Sequence, residues 1–143
     1  MTTSSDGNDD ATITRLATTP CTVAVVGLSP KPHRASYGVA EYLQRHGWRI
    51  VPVNPAAAGT QILGEPVYAS LTAAASAHAI ALVDVFRNSD DVPPVVDEAL
   101  ALGLPAIWLQ LGIAHPQAAA KARAAGVALV QNLCIKVEHA QRA

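Results

Sequence analysis

The stretch "TVAVVGLSPKPHRASYG", residues 22–38, carries the information that decides the fold. Its first part is a run of small apolar residues that ends at Gly27, and serine, proline and basic residues follow. A continuous apolar run of this length is typical of a strand that is buried on both faces of a parallel sheet. Many nucleotide-binding loops begin with a glycine directly after such a strand, but the full G-x-G-x-x-G fingerprint is absent here.

The same kind of apolar run recurs along the chain and alternates with helical patterns. Predicted strands cover residues 22–27, 48–54, 80–86, 105–110 and 126–131. Predicted helices cover residues 36–47, 69–79, 89–103, 115–126 and 132–140. This alternation with short connections predicts an α/β fold, a doubly wound and mainly parallel sheet of about five strands with helices on both faces.

Length and composition limit the class of protein. The 143 residues suit one domain, and the net charge of −1 provides no overall basic field that would attract nucleic acid. The polar start of the chain predicts a disordered tail over residues 1–18, which leaves residues 19–143 as the domain. Because the sequence has no secretory signal and no apolar run of ~20 residues, we expect a cytoplasmic protein without membrane partners, in which Cys21 and Cys134 stay reduced.

The loop after the first predicted strand concentrates positive charge. It combines cations and hydroxyl groups, at Lys31, His33, Arg34, Ser29 and Ser36. Doubly wound sheets bind ligands beyond the carboxyl ends of their strands, and the N-terminus of the helix that follows adds N–H donors for an anion. A phosphate-bearing ligand is therefore one interpretation of this loop, and a surface turn with incidental basic residues is the other.

Three further strand ends carry polar residues. The second strand ends in Asn54-Pro55, where dinucleotide-binding folds place the acidic residue that holds a ribose, and this counts against NAD. Arg87 follows the third strand of the predicted sheet and either contacts a ligand or pairs with the nearby Asp90 or Asp91. Gln110 and Gly112 follow Trp108, which suits a core position, and they could line a pocket.

Catalytic patterns are scarce in this sequence. It contains no G-x-S-x-G motif, no P-loop, no H-E-x-x-H motif and no cysteine–histidine set with metal-ligand spacing, so we predict no metal site. Cys134 is the one candidate nucleophile, since it lies near the N-terminus of the last predicted helix, which would favour a thiolate. A buried structural thiol is the alternative interpretation.

Several of these motifs occur together, and in this order, in a known family. Over about residues 20–140 the segments "TVAVVGLSPKPHRASYG", "VNP", "VDVFR", "WLQLG" and "NLCIKVEH" resemble the small stand-alone CoA-binding proteins with a Rossmann-like fold. Those proteins are similar to the CoA-binding domain of the succinyl-CoA synthetase α subunit. The resemblance implies coenzyme A as the ligand and, by position, the ligand-binding residues Gly27, Leu28, Ser29, Pro30, Arg34, Ser36, Val53, Asn54, Pro55, Phe86, Arg87, Gln110 and Gly112. Lys31 is added to them as a cation of the same loop.

One position departs from the family pattern. The family usually carries a lysine directly after "NP", whereas this chain has alanines at 56–58. Positive charge for a phosphate must then come from the loop cations or from Arg87. The phosphohistidine module of the synthetases is also missing, so the resemblance implies binding of CoA or an acyl-CoA without catalysis. Such a module serves as a carrier, a sensor or a partner of an acyl-CoA enzyme, and homo-oligomer formation stays open.

Two other classes of function remain in view. An enzyme would be either an NAD(P)-binding oxidoreductase or a thiol–disulfide protein that acts on CoA through Cys134. An interaction domain that has lost its ligand is the third hypothesis, and the alanines at 56–58 favour it.

Overall fold

A computed structural model describes residues 6–143 of the protein. Its strands are β1 (Thr22–Val26), β2 (Arg49–Val53), β3 (Gln61–Ile62), β4 (Glu65–Pro66), β5 (Leu82–Val85), β6 (Ala106–Leu109) and β7 (Ala128–Val130). Its α-helices are α1 (Asp10–Thr18), α2 (Ala35–Arg45), α3 (Leu71–Ala77), α4 (Val92–Ala101), α5 (Pro116–Ala124) and α6 (Ile135–Arg142). None of the helices described is long and apolar enough to cross a membrane.

Five strands form one parallel sheet in the order β2-β1-β5-β6-β7. Each of them falls within a predicted strand, so the prediction of a doubly wound, Rossmann-like α/β fold is confirmed. From β1 the chain first adds β2 on one side and then continues on the other side with β5. The switch point of the sheet therefore lies between β1 and β5, where doubly wound folds bind their ligands.

Helices cover both faces of this sheet. The buried side chains of α3, α4 and α5 pack on one face, and those of α1, α2 and α6 pack on the other. Most of the side chains involved are valine, alanine, leucine and isoleucine, which fill the narrow space between helix and sheet. This arrangement leaves the carboxyl edge of the sheet free to carry loops.

The prediction of a disordered tail over residues 1–18 is wrong for Asp10–Thr18, which form α1. Ile13, Leu16 and Ala17 follow helical spacing and are buried against the sheet. The carboxylate of Asp9 caps this helix by accepting the N–H of Thr12 at 3.1 Å. The polar composition of the segment hid a short apolar stripe; residues 1–5 lie outside the described residues.

A small hairpin beyond β2 was not predicted. β3 and β4 have two residues each, and the turn between them is formed by Leu63 and Gly64, which both have positive φ, 54° and 78°. After the hairpin, Tyr68 extends the sheet beside β2, because its N–H donates to the carbonyl of Pro52 at 2.9 Å. A leucine in a left-handed turn gives no recognisable signal in the sequence, and the strands are too short for a pattern.

Candidate functional site

The switch point brings the backbones after β1 and β5 unusually close. Gly27 has a φ of 86°, and a Cβ atom at this position would lie 2.2 Å from the carbonyl oxygen of Phe86. The N–H of Phe86 donates to the carbonyl of Val26 at 2.8 Å, which fixes this approach. Only glycine satisfies both the left-handed φ and the short distance, so the two loops diverge from one point at the carboxyl edge.

A first cleft, the β1–α2 cleft, opens at this point. It has a volume of about 310 Å³ and is lined by Gly27, Ser29, Lys31, Arg34, Ala35, Ser36 and Phe86. Lys31 and Arg34 are exposed, and among the described residues neither forms an ion pair. The cleft therefore presents two uncompensated cations beside the first turn of α2.

The N-terminus of α2 adds to this positive potential. Arg34 occupies the N-cap position, and its side chain forms no capping hydrogen bond. The first N–H groups of a helix have no acceptor within the helix, and the aligned peptide dipoles place a partial positive charge there. Since Ala35 and Ser36 line the cleft, the uncapped end of this 11-residue helix is suited to hold an anion.

The hydroxyl groups of the two serines hold the backbone of this loop in place. The hydroxyl of Ser36 accepts the N–H of Ser29 at 3.0 Å, and the hydroxyl of Ser29 accepts the N–H of Lys31 at 3.1 Å. Ser36 is buried below the cleft surface. These bonds set the position of Lys31, so the serines shape the cleft even though they also line it.

Asn54 connects this loop with the loop after β2. Its Nδ2 donates to the carbonyl of Leu28 at 3.0 Å, and its Oδ1 accepts the N–H of Ala56 at 3.0 Å. The second contact caps the short 3₁₀ turn Pro55–Ala57. Ala56 is exposed next to Pro55, so the position for which the family resemblance implies a lysine carries no charge.

Two further clefts adjoin the first. The Arg87 cleft, of about 310 Å³, is lined by Phe86, Arg87, Asn88, Ser89, Gly112 and Ile113. The apolar cleft, of about 220 Å³, is lined by Ala35, Val39, Phe86, Gln110, Leu111, Ile113 and Cys134. Phe86 lines all three clefts, so they form one connected rim along the carboxyl edge of the sheet.

The apolar cleft combines exposed apolar surface with a buried amide. Leu111 is 68% exposed and leaves apolar surface open at the rim. Gln110 is buried, and its Oε1 accepts the N–H of Ile135 at 3.3 Å. Cys134 is half-buried at the N-cap position of α6.

Asp84 lies on β5 directly below this rim. It is fully buried, pairs in register with Val25 and Trp108, and faces the same side of the sheet as Phe86 two residues later. Neither carboxylate oxygen has a hydrogen-bond partner among the described residues. Loss of hydration raises the pKa of Asp84 well above its usual range, so the fold favours the neutral acid.

The structure places most of the predicted ligand-binding residues on the rim, and Cys134 with them. The residues that line a cleft are Gly27, Ser29, Lys31, Arg34, Ser36, Phe86, Arg87, Gln110 and Gly112. Leu28 and Val53 are buried in the core, so their side chains reach none of these clefts. Pro30, Asn54 and Pro55 also line none of them.

Two alternatives from the sequence can now be compared with the geometry. Trp108 is a core residue, fully buried, with its Nε1 donating to the carbonyl of Leu133 at 2.7 Å. Arg87 forms no ion pair with Asp90 or Asp91 among the described residues, and it lines the rim instead.

The predicted ligand-binding residues do not include six residues that line the rim, namely Ala35, Val39, Asn88, Ser89, Leu111 and Ile113. Three of them, Asn88, Leu111 and Ile113, lie in strand-end loops that the sequence already places at this edge of the sheet. Each lies within a few positions of a predicted residue. Ala35 and Val39 are four residues apart on α2, so helical spacing from the cationic loop could have found them. Leu111 and Ile113 follow β6 in an irregular loop, whose side-chain directions no periodic pattern predicts.

Comparison with known proteins identifies the family. Residues 21–140 match the family model described as CoA binding domain. The Bacillus subtilis (strain 168) protein YneT, described as uncharacterized, is 37% identical over 118 residues, which cover 82% of this chain and 84% of YneT. A hypothetical protein from Pyrococcus horikoshii OT3 is 33% identical with a TM-score of 0.87, and the match covers 99% of this chain and 96% of that one.

A larger protein shares the fold alone. A dinucleotide-forming acetyl-coenzyme A synthetase 1 from Ca. Korarchaeum cryptofilum superposes with a TM-score of 0.68 at 20% identity, covering 84% of this chain and 28% of that one. The family match and the relatives above 30% identity agree with the resemblance that the motifs indicated. The chain therefore belongs to the family of CoA-binding domains.

Proposed function

We propose that the protein binds coenzyme A or an acyl-CoA along the rim at the carboxyl edge of its sheet and catalyses no reaction of its own. The observation that carries this proposal is the uncapped N-terminus of α2, which opens beside Lys31 and Arg34 at the switch point. Family membership supplies the class of ligand, and the geometry of the rim supports the location.

The phosphates of CoA suit the β1–α2 cleft. Charge-assisted hydrogen bonds from lysine and arginine to phosphate oxygens are about twice as strong as neutral ones, and helix N–H groups add fixed donors. Because the loop after β2 has no cation at 56–58, Lys31 and Arg34 carry most of this task. Arg87 reaches the same rim from the neighbouring cleft and can bind a further phosphate oxygen.

The pantetheine arm suits the apolar cleft on the other side of Phe86. This part of CoA is a flexible chain with two amides and a terminal thiol, and it has no charge. Val39, Leu111 and Ile113 provide an apolar wall, and the half-buried Cys134 lies in the same cleft. A site of this kind holds a ligand through area and shape, with few polar contacts.

The composition of the rim supports binding rather than catalysis. Among the described residues, no histidine and no carboxylate lines any of the three clefts. A general base within hydrogen-bond reach of the reacting group is what acid–base chemistry needs. We therefore favour a carrier or sensor of CoA over an enzyme.

A thermal-shift and calorimetry panel with CoA, acetyl-CoA, NAD and ATP tests this function. Ligand that binds only the folded state stabilises it by linkage, so CoA should raise the Tm and NAD should not. An absence of any shift at about 1 mM CoA, where a micromolar site is saturated, would exclude the proposal. A larger shift with NAD would favour the oxidoreductase hypothesis instead.

The location of Cys134 favours a second candidate function, thiol–disulfide exchange with CoA. In this reaction the Cys134 thiolate attacks a sulfur of CoA disulfide, forms a mixed disulfide with one CoA and releases the other as a thiolate. Mass spectrometry after incubation with CoA disulfide should show one CoA adduct, which Cys134→Ser removes. Cys21→Ser is the matched control, because Cys21 lies away from the rim and should leave the adduct unchanged; an adduct that survives Cys134→Ser would contradict this candidate.

A further inference from the structure

The segment Asp6–Asp9, called here the N-terminal strap, covers the outer edge of β7. The side chain of Asn8 is buried, its Nδ2 donates to the carbonyl of Gln131 at 2.8 Å, and its Oδ1 accepts the N–H of Gln131 at 2.9 Å. One side-chain amide thus satisfies both backbone groups of the residue that follows β7. Edge strands need such cover, because their unpaired backbone groups otherwise face solvent or another chain.

Arg123 fixes the strap in place. Its Nη2 donates to the Oδ1 of Asn8 at 3.2 Å and to the carbonyl of Leu129 at 2.8 Å, while its Nη1 donates to the carbonyl of Asp6 at 3.3 Å. Gly7 has a φ of 72°, and a Cβ atom there would lie 2.5 Å from Nη1 of Arg123. The strap therefore follows one defined path along β7 rather than resting loosely on it.

Two side chains connect the strap with the rim. Gln131 donates from Nε2 to the carbonyl of Asp6 at 2.8 Å and accepts the N–H of His115 on its Oε1 at 2.9 Å. Asn132 contacts Oδ2 of Asp6 through its Nδ2 at 3.5 Å and accepts the N–H of Gly112 on its Oδ1 at 2.8 Å. Each of the two side chains thus contacts the strap through its nitrogen and the loop at residues 112–115 through its oxygen.

The rim loop, residues 112–115, depends on these contacts for its shape. Its four successive N–H groups all have acceptors: Asn132 for Gly112, the carbonyl of Gln110 for Ile113, the hydroxyl of Ser89 for Ala114, and Gln131 for His115. Two of the four acceptors are thus side chains that the strap holds. The same loop places Gly112 in the Arg87 cleft and Ile113 in both that cleft and the apolar cleft.

From this network we propose that Asn8 is a positioning residue for ligand binding: it holds the backbone of Gln131, and the side chains of Gln131 and of the adjacent Asn132 hold the rim loop. The proposal rests on the proposed function, because it assumes that the rim binds CoA. Asn8 lies outside the part of the chain that matches the family model, which begins at residue 21. The strap orders the loop, and the ordered loop presents Ile113 to the ligand without a further entropic cost at binding.

The test compares Asn8→Ala and Asn132→Gly with Ile13→Val in the full chain. Asn132 has a φ of 63°, so glycine removes its side chain without backbone strain. Ile13→Val loosens the same helix α1 against the core but leaves the strap contacts in place. Amide hydrogen exchange of Gly112 and His115 and the Kd for CoA are measured in each variant.

We expect Asn8→Ala and Asn132→Gly to speed exchange at Gly112 and to raise the Kd for CoA about three- to ten-fold, the effect of losing a typical net hydrogen bond. Ile13→Val should lower the Tm and change neither quantity. Asn132→Asp keeps an acceptor for the Gly112 N–H, so it should restore slow exchange at Gly112 relative to Asn132→Gly.

The inference is overturned if Asn8→Ala lowers the Tm but leaves the exchange at Gly112 and the Kd at the values of Ile13→Val. If Asn8→Ala does not fold, Asn8→Asp takes its place, since it keeps the acceptor for the Gln131 N–H and loses only the Nδ2 donor; exchange at Gly112 and a Kd equal to those of Ile13→Val then overturn the inference. Failure of the proposed function has a different signature, namely no CoA binding by the unmodified protein. In that case faster exchange at Gly112 in Asn8→Ala still supports the positioning of the loop, and unchanged exchange overturns it.

Discussion

The loops after β1 and β2 follow neighbouring strands, but they differ in charge, in the length of the helix that follows and in how that helix is capped. The loop after β1 carries Lys31 and Arg34 and leads into an uncapped 11-residue helix. The loop after β2 carries alanines at 56–58 and forms a three-residue turn that the side chain of Asn54 caps. The parallel sheet thus brings both loops to one edge, whereas the sequence decides which of the two loops carries the positive charge.

The two loops should differ most in how much stability is lost when a glycine in each of them is replaced by alanine. Gly27 and Gly59 both have positive φ, 86° and 84°, but only at Gly27 would a Cβ meet another atom, the Phe86 carbonyl oxygen at 2.2 Å. We expect Gly27→Ala to lower the free energy of unfolding by about 3 to 5 kcal/mol, the sum of left-handed strain and overlap. Gly59→Ala should cost about 1 to 2 kcal/mol, from strain alone. Urea unfolding measures both values, and equal losses would show that the close approach to Phe86 contributes nothing.

The second prediction concerns Asp84 in the core, which should affect the pH dependence of stability and not ligand binding, unlike the charges in the loops. Burial raises the pKa of Asp84, so above the usual aspartate range the folded protein keeps a proton that the unfolded chain releases. The unfolded state then binds fewer protons, and stability falls as the pH rises, by at most about 1.4 kcal/mol per pH unit for one group. The variant Asp84→Asn removes this term, so its stability relative to the unmodified protein should increase with pH.

Urea unfolding from about pH 5 to about pH 8, a range above the unperturbed aspartate pKa, checks the pH dependence. The same variant should bind CoA with an unchanged Kd and an unchanged salt dependence, because Asp84 has no exposed surface. A difference between the variant and the unmodified protein that stays constant with pH would mean that Asp84 ionises normally in the fold.

The third prediction concerns Arg34, one of the two cations in the loop after β1. Arg34→Ala should raise the Kd for CoA about tenfold and reduce its dependence on salt, because a charge-assisted contact to phosphate is lost. Arg45→Ala is the matched control, since Arg45 lies in the last turn of the same helix, is exposed and pairs with Glu41 at 3.7 Å. Calorimetry at low and high salt measures the Kd of both variants. An equal change in Kd for Arg34→Ala and Arg45→Ala would show that the phosphate is not bound beside Arg34.

The smallest effect is expected from adding a charge to the loop after β2. Ala56 is exposed, and its contact with Asn54 uses only its backbone N–H, so Ala56→Lys should fold normally. A cation at this position should tighten CoA binding about three-fold, a gain typical of a partly exposed charge. Ala73→Lys, on the exposed side of α3, controls for net charge. If Ala56→Lys does not differ from this control, the loop after β2 takes no part in holding the ligand.

Buried strands and the glycine at the switch point could be predicted from the sequence, because continuous apolar runs and a glycine at a strand end are strong local signals. Helix α1 was missed because only Ile13, Leu16 and Ala17 mark its buried face within a polar stretch. The hairpin was missed because Leu63 adopts a left-handed conformation that the identity of a leucine does not indicate.

The position of a residue in the clefts could be predicted where a motif and a strand end coincide, as for Gly27, Arg34 and Arg87. Motif position alone was a poor guide to side-chain direction, because Leu28 and Val53 point into the core. The contacts that shape the rim loop join residues far apart in the chain, such as Gly112 and Asn132. Such pairs depend on the order of β6 and β7 in the sheet, which no local pattern contains.

The central claim is that the loop after β1, and not the loop after β2, holds the charged part of CoA. A CoA titration followed residue by residue through the backbone amide signals in NMR tests it most directly. We expect the largest shifts at Gly27 and at residues 35–37 in the first turn of α2, with small shifts at 56–59. The largest shifts in the loop after β2, or at the opposite edge of the sheet near Cys21, would contradict it.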